Sequence, residues 1–206
     1  MAVRKGTVDV SVGSGSDLNN IGLSPDCGGA IDNGLSGVIP NGTIVTLRRG
    51  GIKRKVKITI GDATECVANT IQVSRALAKL FGLRNQARFL LAYNTATKTL
   101  TMRRKPVTID TLTVTASSAM RPGRVTIGLG LAQRDGNYLK SGSIITIRHG
   151  RISLKLRMVL IDDIFNNDFT LRPRAIRLLG LRANNKYRIA YNQVKRELVF
   201  IRQVSR

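Results

Sequence analysis

The sequence predicts a mainly β protein with short helices, arranged as two tandem small β-barrels that arose by internal duplication. Three observations carry this reading. Stretches roughly 100 residues apart match one another. Apolar residues recur with a period of two, as in strands with one buried face. Short helices with defined start and stop residues recur at the same place in each copy.

The duplication is explicit. Ile44-Val45-Thr46-Leu47-Arg48-Arg49-Gly50 matches Ile144-Ile145-Thr146-Ile147-Arg148-His149-Gly150, and Lys55-Val56-Lys57-Ile58 matches Lys155-Leu156-Arg157-Met158. After a slip of two residues, Gly82-Leu83-Arg84 meets Gly180-Leu181-Arg182, and Ala92-Tyr93-Asn94 meets Ala190-Tyr191-Asn192. Val8–Val12 pairs with Leu112–Ala116. The copies are expected to span residues 1–105 and 106–206. The join near Arg103–Asp110 is too short for a flexible linker.

Each copy holds a smaller repeat of strand, helix or helix-like turn, polar turn and strand. In the first copy Ile21-Gly22-Leu23 opens one unit and Ile71-Gln72-Val73 the other. Ile127-Gly128-Leu129 and Phe169-Thr170-Leu171 echo them in the second. Val56, Ile58 and Ile60 alternate with Lys55, Lys57 and Thr59, so the basic side chains are expected to point outward together. Leu154, Leu156 and Met158 alternate likewise with Lys155 and Arg157. Ser74 is placed to cap a helix over Arg75–Phe81, with Leu77, Leu80 and Phe81 on one face and Gly82 as its stop. Pro173 takes the first helical position in the second copy, where its missing N–H costs nothing, and Gly180 is the stop. Asn94–Lys98 and Asn192–Arg196 read as hairpin turns. The expectation is about six strands per copy, with one clear helix and one weaker helical segment.

The stretch from Ile71 to Leu83, followed by Ala92-Tyr93-Asn94 and Leu100-Thr101-Met102, resembles the double-psi β-barrel group. In particular it is similar to the N-terminal region of spore-coat-associated ATP-grasp proteins of endospore-forming bacteria. Phe169–Leu181 with Ala190-Tyr191-Asn192 carries the same pattern. The resemblance implies a double-psi-like barrel and a bacterial setting, at the spore surface or in the cytoplasm. It implies no ligase activity, because the ATP-grasp catalytic domain has no counterpart here. Related swapped-hairpin barrels of bacterial transition-state regulators bind DNA through basic strands and loops.

The charge bounds the partners. Lys and Arg number 34 against 12 Asp and Glu, a net of +22 with a pI near 11.4. Residues 1–105 carry +10 and residues 106–206 carry +12, so this is no basic tail on a neutral domain. A small domain needs a net charge of only about 2–8 for solubility. The excess calls for an anionic partner or an acidic neighbour in an assembly. The hydrophobic fraction of 42% is that of a chain with a packed core, not of a disordered polycation. No stretch has the roughly 20 apolar residues of a membrane helix, and Met1–Asp9 has no apolar leader stretch.

Catalytic constellations are not found. The single histidine, His149, aligns with Arg49, which makes it a surface cation rather than a base. Asp162-Asp163 reads as a solvated turn, and Gly13-Ser14-Gly15-Ser16 lacks the Lys-Ser/Thr of a phosphate loop. Cys27 and Cys66 have no metal-ligand spacing and no counterparts in the second copy. They are either buried thiols or a crosslink. No cofactor and no metal site is expected.

Three non-enzymatic readings follow, with the structural or assembly role placed ahead of nucleic-acid binding as its alternative. The first is a structural or assembly protein, such as a spore-coat or surface-filament component. It would self-associate through exposed strand edges or through an arm formed by Ala2–Asn20. The second is nucleic-acid binding through phosphate contacts from Arg48, Arg49, Lys53, Arg54, Lys55 and Lys57 on one hairpin and Arg148, Arg151, Lys155 and Arg157 on the other. The third is an adaptor that holds acidic polymers through the same hairpins. Aromatics are only 4% and Trp is absent, which argues against base stacking.

Overall fold

The computed structural model describes residues 2–25, 34–61, 69–135, 141–161, 163 and 166–204, with the side chains of 133–135 and 203 excepted. The chain divides into two compact units, Met1–Lys105 and Pro106–Arg206.

The first unit is a closed barrel of seven strands. In chain order these are β1 (Val3–Val12), β2 (Asn20–Leu23), β3 (Ile44–Arg49), β4 (Ile52–Ile60), β5 (Thr70–Val73), β6 (Arg88–Asn94) and β7 (Thr99–Arg104), with helix α1 (Arg75–Phe81) between β5 and β6. Around the barrel the order is β1-β5-β2-β4-β3-β7-β6, and β6 closes back on β1. The second unit repeats it with β8 (Val107–Ala116), β9 (Arg124–Gly128), β10 (Ile144–His149), β11 (Ile152–Ile161), β12 (Phe169–Leu171), β13 (Lys186–Asn192) and β14 (Glu197–Gln203). Its helices are α2 (Leu129–Asp135) and α3 (Pro173–Leu178), and its cyclic order is the same strand for strand.

The smaller repeat appears as an exchange of strands. In the first barrel one unit runs β1, β2, a turn at 35–39 and β3; the other runs β4, β5, α1 and β6. The first strand of each unit pairs in parallel with the middle strand of the other, β1 with β5 and β4 with β2. Each first strand pairs antiparallel with the closing strand of the other unit, β1 with β6 and β4 with β3, while β2 and β5 meet antiparallel. The second barrel keeps every one of these pairings. The seventh strand, β7 or β14, lies between the closing strands, so each barrel has one strand more than the six expected.

Alternation fills each barrel. Val8, Val10, Ile21, Val45, Leu47, Val56, Ile58 and Phe89 line the first core, and Leu112, Val114, Ile127, Ile145, Ile147, Met158, Phe169 and Phe200 the second. Full burial of each such side chain is worth about 1.5–3 kcal/mol. Ser74 Oγ accepts from the Leu77 N–H at 3.0 Å, and Gly82 ends α1 in the left-handed region at φ 59°. Pro173 opens α3. Asn94 and Asn192 each accept two N–H bonds within the turns that follow them.

Two local expectations change. Leu80 is 40% exposed, and Ala78 joins Leu77 and Phe81 in the core instead. At about 100° per residue, Leu80 falls on the flank of a face centred between 77, 78 and 81. The register also aligns Ile21-Gly22-Leu23 with Val125-Thr126-Ile127, two residues before the matching letters Ile127-Gly128-Leu129. Ile21 lies opposite Val73 and Ile58, and Val125 opposite the equivalent Leu171 and Met158. A slip of two residues leaves every side chain on the same face, so the sequence pattern alone cannot fix it.

Candidate functional site

The β3–β4 hairpin of the first barrel is built from strict alternation. Val45 and Leu47 on β3, with Val56 and Ile58 on β4, point into the core. The opposite parity faces out as three cross-strand pairs: Ile44 with Lys57, Thr46 with Lys55, and Arg48 with Lys53. The strand rise of about 3.3 Å sets Lys53, Lys55 and Lys57 roughly 6.6 Å apart along β4. Arg48 sits one strand across, opposite Lys53. Thr101 of β7 adjoins Arg48, and the exposed Arg103 follows it on the same face. Arg48, Lys53, Lys55 and Lys57 are all exposed and have no acidic partner among the described residues. Like charges directly opposite each other on a sheet are destabilising. An unneutralised row of this kind costs stability and gains a field that attracts anions.

The other two basic residues of this hairpin have structural employment. Arg49 has inward parity at the end of β3. Its guanidinium donates to the Phe81 carbonyl at the C-terminus of α1 and lies 5.4 Å from the centre of the Phe89 ring. Arg104 stands 5.6 Å from the same ring. Burial, then the repulsion of Arg84 and Arg49, holds the Arg104 guanidinium below its ordinary value, with Asp9 pulling the other way. Arg54 donates from Nε to the Leu18 carbonyl at 2.9 Å and from Nη2 to Asn19 Oδ1 at 3.0 Å, pinning the approach to β2.

The β10–β11 hairpin repeats the frame with different electrostatics. The outward pairs are Ile144 with Arg157, Thr146 with Lys155, and Arg148 with Ser153. Arg148 Nε lies 3.2 Å from Glu197 Oε1 on β14. Arg157 Nη1 donates to the Gly142 carbonyl at 3.0 Å. Lys155 is exposed, and Arg151 is exposed in the turn between the strands. His149 takes the place of Arg49 and is half-buried rather than a surface cation: its Nδ1–H donates to the Leu179 carbonyl at 2.7 Å. Its ring packs edgewise on Tyr187 and Phe200. The same cap at the end of a helix is thus made by two different side chains.

Sequence reasoning alone did not single out Glu197 or Arg103. The signal for Glu197 was present, since it stands where the first copy has Thr99, and both pair in parallel with the equivalent threonines Thr146 and Thr46. Asp9 and Arg88 also escaped notice. They form a buried two-bond ion pair, with Arg88 Nε to Asp9 Oδ1 at 3.0 Å and Nη2 to Oδ2 at 2.8 Å. The clue was a carboxylate inside the apolar run Val8-Asp9-Val10.

A cleft of about 580 Å3 lies over the outer face of β2 and β5, lined by Asn20, Gly22, Thr59, Thr70 and Gln72 among others. Among the described residues its only charged lining residue is Asp17, which does not favour an anion. Cys27, Cys66 and Asp162 lie outside the described residues. Among the described residues no three His, Cys, Asp or Glu side chains come together to hold a metal. No described helix is long and apolar enough to cross a membrane. Phe81, Phe89, Phe169, Phe200, Tyr93, Tyr187 and Tyr191 are all buried, leaving none of these rings for stacking on bases. No protein-family model, curated protein or solved structure matches this chain.

Proposed function

We propose that this chain is a non-enzymatic nucleic-acid-binding protein that holds the phosphodiester backbone on the outer face of the β3–β4 hairpin. The supporting observation is the row of Arg48, Lys53, Lys55 and Lys57 on one face, exposed and without a carboxylate among the described residues. Such a row contacts phosphates without reading bases. The burial of the Phe and Tyr rings among the described residues fits backbone contact rather than stacking.

Four phosphate contacts give a slope of about −3.6 in log K against log salt on duplex DNA. The expected outcome is binding of a labelled duplex that weakens roughly 150-fold between about 50 and 200 mM salt. Fluorescence anisotropy of the full chain checks this. Absence of binding at the lower salt, or binding insensitive to salt, refutes the reading.

Self-assembly is the second proposal, and one observation favours it. Ile44 and Ile52 are 61% and 39% exposed, and their counterparts Ile144 and Ile152 are 45% and 47% exposed. Both copies thus keep an apolar side chain beside the basic row. The route differs from strand addition, however. Both sheets close, and β1 is built into the barrel, Val3–Asp9 pairing with β6 and Asp9–Val12, in the Val8–Val12 segment of the arm, with β5. A closed barrel offers no free edge to a neighbour. Assembly would then proceed through hairpin faces, and sedimentation at high salt without DNA tests it. A monomer at every concentration removes this reading.

A further inference from the structure

The two barrels share a fold, but their hairpins do not present the same charge. On the first, four outward cations meet no carboxylate among the described residues. On the second, Ser153 stands in place of Lys53, and Arg148, Lys155 and Arg157 share the face with Glu197. With the exposed turn residue Arg151 included, the net falls from four positive charges to three (four cations less one carboxylate). The equivalence is set by register. Thr99 lies beside Thr46 on the first barrel, and Glu197 lies beside Thr146 on the second.

We propose that Glu197 is a built-in counter-anion at the second hairpin. It takes the place beside Arg148 that a ligand phosphate takes beside Arg48, so that the first barrel binds the polymer and the second does not. This rests on the nucleic-acid reading above. The carboxylate sits 3.2 Å from Arg148 Nε, the distance of a charge-assisted hydrogen bond at its upper end. A phosphate approaching Arg148 must displace it and suffers its repulsion at close range. Both side chains are partly exposed, at 44% for Arg148 and 23% for Glu197. An exposed pair of this kind adds little to stability, so its removal leaves the barrel folded. Arg157, tied to the Gly142 carbonyl, is held away from a free search for phosphate, which reinforces the difference.

The test is a gain of function. Lys53→Glu with Lys55→Glu in the full chain disables the first hairpin. Glu197→Thr, which installs the first copy's residue, is then added, and Glu197→Gln is added in parallel to remove the charge while keeping the length. Binding to a labelled DNA duplex is read by anisotropy across a salt series, and each variant's melt by circular dichroism confirms folding. The expected result is loss of at least tenfold in affinity on disabling the first hairpin. Either Glu197 substitution then restores a tenfold or greater part of it, with a salt slope steeper by about one, the value of one added phosphate contact. Adding Arg148→Ala abolishes the gain. If the double glutamate variant loses binding and neither Glu197 substitution restores it, the counter-anion role is wrong and the first-hairpin reading stands. If the wild-type chain does not bind, or the double variant binds as well as wild type, both are wrong.

Discussion

Asp9 and Arg88 are the only charged or polar residues found fully inside the described structure, and only the first barrel has them. The second puts Thr113 and Lys186 at the same paired position. Burial pushes the Asp9 carboxyl above the usual carboxylate range, while Arg88 and Arg104 pull it back. For this carboxyl the burial effect is the larger one, and in a buried pair desolvation can exceed the Coulombic gain. Arg88→Met leaves the carboxylate buried without its partner and is expected to cost about 3–5 kcal/mol in urea unfolding. Replacing both partners with apolar residues, Asp9→Val with Arg88→Met, leaves no buried charge and is expected to recover most of that loss. The sign of the pH dependence follows from the raised value. The carboxyl's contribution is full below the usual carboxylate range and is lost as pH rises through the folded-state value. The double swap should gain on the native chain over that window. A double swap as damaging as Arg88→Met would overturn this account.

At the scale of elements, the hairpins and helix ends were the most legible from sequence because their signals are local. Ser74, Gly82, Pro173 and the asparagine turns all act where the letters place them. Strand register was less legible, because period two tolerates a slip of two, as at Ile21 and Val125. The roles of individual arginines were least legible. Arg48 and Arg49 are adjacent and chemically identical, yet parity sends one to solvent and the other to a helix end. Alternation puts Arg54 on the parity of Val56 and Ile58 and Lys53 on the opposite one, but no local signal names the partner of Arg54, since the carbonyl of Leu18 lies 36 residues earlier in the chain. The junction of α1 with Arg49 gives a sharp test. Gly82 has φ +59°, and a Cβ there would stand 2.9 Å from Arg49 Nη1. Gly82→Ala is expected to cost about 1–2 kcal/mol from the left-handed backbone alone. A thermal melt equal to wild type would show that the helix end does not need this conformation.

Across the whole molecule, the duplication preserved topology and let surface chemistry diverge. Every strand pairing of the first barrel recurs in the second, so the positions that differ are informative. Lys53 against Ser153, Thr99 against Glu197, and Arg49 against His149 alter charge while the core alternation is kept. The net charge of each copy, +10 and +12, gave no hint of this, because a sum over residues hides which cations have partners. The central claim is that one hairpin face, and not the overall charge, holds the anion. Lysine acetylation footprinting of the full chain, with and without a DNA duplex, tests this most directly. The expected result is protection of Lys53, Lys55 and Lys57, with Lys155 and Lys186 modified as readily as in the free chain. Uniform protection of all lysines, or none at Lys53 to Lys57, would contradict the claim.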